Sequence, residues 1–136
     1  LNFSIKYPPN WEVKFWDDKE QPNPYFGFLT DYLNQLEINF SLWKLDKGED
    51  FYKFAYPDYP SKVTFYKKKR VNGFPAFRYG VHWYLEDGES YDLRQFVKID
   101  KENVIDLMAP LPEKSFQEKD DKYKLVIEIM DTFVKY

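Results

Sequence analysis

Apolar and polar residues alternate from Phe3 through Tyr7, break at Pro8-Pro9, and resume at Trp11-Glu12-Val13-Lys14-Phe15. Side chains repeat every two residues along a strand, and proline removes a ladder donor, so the chain should begin as two short strands around a turn. Tyr25 to Thr30 reads as a further strand. Leu36, Ile38, Phe40 and Leu42 alternate with polar partners in a half-buried one, which puts Trp43 on the less buried face.

Between these strands, Gln21-Pro22-Asn23-Pro24 is a loop by composition. Asp46 and Glu49, three apart and ahead of Phe51, Phe54 and Ala55, form a capping pattern for a short helix that Pro57 stops. A loop rich in Tyr and Pro follows. Val63 to Arg70 is a strand ending in Lys67-Lys68-Lys69-Arg70, ahead of a tight turn at Asn72-Gly73. The basic run suits a sheet edge that must not pair with another molecule; contact with an anion or a partner is the alternative.

Phe77, Tyr79, Val81, Trp83 and Leu85 share one strand face, and Tyr91, Leu93, Gln95, Val97 and Ile99 share a face of the next. A three-residue loop at Glu86-Asp87-Gly88 would join these faces, with Trp83 opposite Tyr91 and His82 opposite Asp92. The same reasoning at Lys101-Glu102-Asn103 sets Ile99 against Ile105 and Val97 against Leu107, completing a three-stranded meander over 77–109. Beyond Pro110-Leu111-Pro112, Ser115 and Glu118 form a capping box for a long C-terminal helix. Its core stripe is Tyr123, Val126, Ile127, Met130, Phe133 and Val134. Glu118 with Lys122, Asp120 with Lys124 and Asp131 with Lys135 are its expected ion pairs.

At 136 residues the chain is the size of one domain, spanning 1–136. Its net charge of -3 offers no broad basic field, which disfavours a nucleic-acid partner. Cysteine is absent, which removes disulfides, thiol nucleophiles and thiolate metal sites. No apolar run approaches a membrane span, and the first residues lack the pattern of a signal peptide. Because the sequence opens at Leu1, close to a strand, an upstream targeting segment is expected.

Three stretches resemble the PsbP-like family: Phe3-x-Ile5-x-Tyr7-Pro8-x-x-Trp11, Val71-Asn72-Gly73-Phe74-Pro75-Ala76-x-Arg78, and Asn103-Val104-Ile105-x-Leu107 with the C-terminal helix. The resemblance covers nearly the whole chain. It implies an α+β protein built as an α/β/α sandwich with a central antiparallel sheet, and a binding or scaffolding role rather than catalysis. It is similar to the bacterial branch, which implies a secreted or lipid-anchored protein whose anchoring Cys would lie upstream of Leu1. Membrane association would then come only from that missing anchor.

The residues themselves point to no catalytic centre, no metal site and no cofactor. The single histidine, His82, has no second imidazole to share a metal, and no Gly-rich phosphate loop is present. His82 with Asp92 and Arg94 is the sharpest local candidate, as a carboxylate-oriented imidazole contacting an anion or partner; an ordinary cross-strand polar contact is the plainer reading. A second candidate is an aromatic surface of Trp16, Tyr25, Trp43, Tyr56 and Tyr59. The reading that follows is a non-enzymatic extracytoplasmic domain that binds an unidentified protein. A small-ligand or carbohydrate module using those aromatics is the alternative, and a hydrolase using His82 is a weaker one.

Overall fold

The computed structural model describes residues 3–15, 25–54 and 61–135. The strands are β1 (Phe3–Ser4), β2 (Glu12–Phe15), β3 (Tyr25–Asp31), β4 (Leu36–Lys44), β5 (Ser61–Val71), β6 (Phe74–Leu85), β7 (Gly88–Lys98), β8 (Asn103–Leu111) and β9 (Val134–Lys135). Helices α1 (Glu113–Glu118) and α2 (Asp121–Met130) lie between β8 and β9. Seven strands form one antiparallel sheet in the order β2-β3-β4-β8-β7-β6-β5, and β1 pairs with β9. The expected α+β class and antiparallel meander are present.

The sheet has a core on each face. On one, Leu29, Ile38, Phe40, Leu93, Ile105 and Leu107 meet Phe116 of α1 and Val126, Ile129 and Met130 of α2. On the other, Phe77, Tyr79, Val81, Phe96 and Val104 pack beneath Phe51, which sits in a 3₁₀ turn at Phe51–Lys53. Asp50 caps that turn by accepting from the Tyr52 N–H, while Glu49 accepts from the Asp46 N–H. The expected short helix is therefore a single turn with a different cap. Trp43 is half-buried against this second core and donates through Nε1 to Asp106, so its face is a packed one.

Burial on both faces explains where the expected registers fail. Residues 76 to 81 of β6 are all buried, so period-two alternation cannot choose which face of β7 they meet. The turn uses Glu86 and Asp87 alone, with Leu85 opposite Gly88, Trp83 opposite Ser90 and His82 opposite Tyr91. Gly88 opens β7 at φ +140, a backbone region that disfavours other residues. At the next connection Asp100 accepts from the Glu102 and Asn103 N–H groups, and Val97 pairs with Ile105 rather than Leu107. The side chain of Asp100, not a left-handed Asn103, sets this loop.

The long helix is divided in two. Lys119 adopts φ 50 and ψ 50, ending α1, and the Asp120 carboxylate then accepts from the Lys122 and Tyr123 N–H groups to start α2. Ser115 donates its hydroxyl to Asp120 instead of capping α1, whose N-cap is Pro112. An N-cap carboxylate just ahead of a polar first turn competes with helix continuation, and here it wins.

Asp131 makes tertiary bonds, while the side chain of Lys135, its expected local partner, lies outside the described residues. Asp131, at the end of α2, bonds Lys69 at 2.7 Å and Arg78 at 2.6 Å. Arg78 also donates to Gln95, which in turn donates to the Met130 carbonyl. Asn72, in the left-handed conformation at φ 48, donates to the Phe133 carbonyl. Asn72 and Arg78 of the central sequence motif thus hold the end of α2 against the sheet.

Candidate functional site

The sheet separates the residues that the sequence placed together. His82 pairs with Tyr91 on the helix-covered face, whereas Asp92 and Arg94 project from the opposite face with Tyr79 and Val81. The one-residue change in register moves every side chain of β7 to the other side, so Asp92 is not the partner of His82. The histidine instead stacks on Tyr91, with ring centroids 4.2 Å apart, and tilts against Tyr84 at 4.3 Å.

His82 lines a cavity of about 320 Å³ between β5, β6, β7 and α1. Phe65, Tyr91 and Phe116 supply its apolar walls, while Thr64, Gln117 and Lys119 supply polar groups. Three irregularities converge on it. A β-bulge between Val63 and Phe65 inserts Thr64 without a partner on β6. Gly80 lies beneath the rings, where an added Cβ would come within 2.6 Å of Phe116, Phe65 and Thr64. Lys119 occupies the left-handed conformation at the break between helices.

The polar groups around this cavity are unevenly satisfied. His82 Nε2 lies 3.2 Å from Glu89 Oε2 without the alignment of a hydrogen bond, and it has no other partner among the described residues. Tyr91 donates its hydroxyl to Glu113, and burial, reinforced by that contact, pushes the phenol up to about 12. Glu113 also accepts from Gln117. Thr64 shares the cavity with His82, but no hydrogen bond joins its hydroxyl to Nε2, so the pair lacks a nucleophile–base contact.

On the opposite face, Arg94 forms an ion pair with Asp106, which also accepts from Trp43 Nε1. Asp92 accepts from Trp83 Nε1 at 2.8 Å. Burial pushes the carboxyls of both Asp92 and Asp106 up, opposed by Arg94 and the indole hydrogen bonds. Two carboxylates, one guanidinium and two indoles thus form a polar cluster within an apolar layer. Its contacts cross β4, β6, β7 and β8, which gives it a holding role in the sheet.

Of the expected aromatic surface, Trp16, Tyr56 and Tyr59 lie outside the described residues, as does the side chain of Tyr25. Exposed apolar groups occur instead on β2 and the β3–β4 turn: Val13, Phe15 at 64%, Tyr32 at 69% and Leu33 at 86%. Asp31 builds that turn by accepting from the Leu33 and Asn34 N–H groups and the Asn34 amide. The Asn34 contact is the first reason its carboxyl is held below the usual range.

Alternation along β2 gave no warning of this exposure, because β2 is an edge strand beyond the cover of the helices. Thr64 and Lys119 also escaped sequence reasoning. The Asp120 cap could have revealed the helix break and hence Lys119, but the bulge at Thr64 leaves no comparable signal.

No protein-family model matches the chain, and no curated protein matches it by sequence. Among solved structures it is similar to cyanobacterial PsbP (CyanoP) from Synechocystis, with a TM-score of 0.67 at 10% identity over 98% of this chain and 86% of that one. It is also similar to LpqN, involved in cell envelope biogenesis of Mycobacterium tuberculosis, with a TM-score of 0.63 at 16% identity over 93% of this chain and 80% of that one. The fold is PsbP-like, as the N-terminal and central motifs implied. Among the described residues, no helix is long and apolar enough to cross a membrane.

Proposed function

We propose that this chain is a non-catalytic binding or scaffolding domain that works outside the cytoplasm at a bacterial envelope and docks a protein partner. The observation that carries this reading is the exposure of Val13 and Phe15 on the edge strand β2, with Tyr32 and Leu33 exposed in the turn beyond the other end of that strand. Two large apolar groups on one face of an edge strand suit a protein interface better than solvent. The envelope setting is supported by the shared fold with LpqN, whose role is in cell envelope biogenesis. Tethering by a segment upstream of Leu1 is part of the proposal.

The test is site-specific photo-cross-linking in envelope membranes, with the cross-linker at Val13 and a control at Lys101. The expected result is one discrete adduct from Val13 that fades in Phe15→Ser. Equal adducts from both positions, or an adduct unchanged by Phe15→Ser, would overturn the docking surface.

A further inference from the structure

We infer that the His82 cavity is a binding site for a small carboxylate with a planar apolar body. This site lies on the face covered by α1, apart from the β2 surface of the protein-docking proposal. Its volume of about 320 Å³ corresponds to about ten water volumes, a fit for a ligand of similar heavy-atom count.

The lining decides the chemistry. Phe65, Tyr91 and Phe116 offer ring surfaces, and the Tyr91–Phe116 centroids lie 5.3 Å apart, so the walls favour a flat apolar body. The Lys119 ammonium and the Thr64 hydroxyl are donors at the same cavity, whereas His82 contributes ring surface, its Nε2 being buried 3.2 Å from Glu89. No carboxylate lines the cavity. Glu89 faces His82 Nε2 at 3.2 Å, outside the lining, and Glu113 is engaged by Tyr91 and Gln117. A set of donors without a lining acid selects an anion, and a carboxylate can accept from Lys119 and Thr64 together.

The local backbone supports the same assignment. Lys at a left-handed position is disfavoured relative to Gly, yet that conformation brings the ammonium to the cavity, 6.0 Å from the Phe65 ring centroid. Gly80 leaves room for the rings that form the floor, and the Thr64 bulge adds a hydroxyl. A ligand site accounts for all three departures at one place.

The experiment is an NMR titration of the protein with 3-phenylpropanoate and, separately, with its uncharged amide. The expected result is saturable binding of the acid with a dissociation constant below about 1 mM, and shifts centred on Thr64, His82 and Gln117. The amide should bind about tenfold more weakly. Lys119→Gly suits the backbone at that position, and Thr64→Val keeps the branched shape without the hydroxyl; each should weaken the acid, Lys119→Gly about tenfold, while the thermal midpoint stays near or above that of the parent. Equal affinity for acid and amide would overturn the anion assignment. No saturation by 10 mM, about ten times the expected constant, or shifts centred away from the cavity would overturn the site. Phe15→Ser should leave the titration unchanged, which separates this site from the docking surface.

Discussion

The Arg78 guanidinium lies 2.6 Å from the Asp131 carboxylate, joining the middle of β6 to the residue that ends α2. Arg78 is 7% exposed, and its other contacts run to Gln95, which holds the Met130 carbonyl. Helix carbonyls near a C-terminus lack partners within the helix, so this network satisfies a group that the fold would otherwise leave buried and unpaired.

Arg78→Met should therefore loosen α2 more than its loss of area suggests. The expected cost is about 2 kcal/mol in chemical denaturation, because Gln95 loses a charged donor while half-exposed Asp131 keeps Lys69. A double-mutant cycle with Asp131→Asn should give a coupling of about 1 kcal/mol. Additive effects would show that the contact contributes no specific stability.

The buried Asp92 carboxyl gives a pH signature with a definite sign. Burial holds its folded-state pKa above the unfolded value of 3.8, so the folded protein binds this proton more tightly. Its contribution to stability is full below 3.8 and is lost as pH rises through the raised folded-state value. Asp92→Asn keeps an acceptor for Trp83 and removes the titrating charge. Denaturation midpoints measured from pH 4 to 7 should fall less steeply in the variant, with greater stability than the parent at pH 7. An unchanged slope would show that Asp92 does not contribute to it.

Gly80→Ala tests the close approach beneath α1. The added methyl would meet the Phe116 ring, the Phe65 ring and the Thr64 hydroxyl at 2.5 to 2.6 Å, so a ring must move. Overpacking of this kind costs about 1–3 kcal/mol. Denaturant unfolding should show that loss, with shifted ring resonances for Phe65 and Phe116. Parental stability with unmoved rings would contradict this packing.

Local chemistry, legible in the order of residues, determined the antiparallel strands, the meander from β6 to β8, the Asn72-Gly73 turn and the apolar stripe of α2. Proline, alternation and helical spacing act over a few neighbours, and their consequences survive whatever packs around them. The central motif was visible too, and folding makes its Asn72 and Arg78 a clamp on a helix end. Tertiary structure alone decided the register of β7, because two buried faces make the apolar pattern ambiguous by one residue. That single step sent His82 and the Asp92–Arg94 pair to opposite sides of the sheet. It also decided the fate of Asp131, since α2 ends at Met130 and folding brings a buried guanidinium within 2.6 Å of the carboxylate. The His82 cavity belongs to the same class: a bulge, a glycine and a left-handed lysine, far apart in sequence, become one site only when the sheet and helices pack.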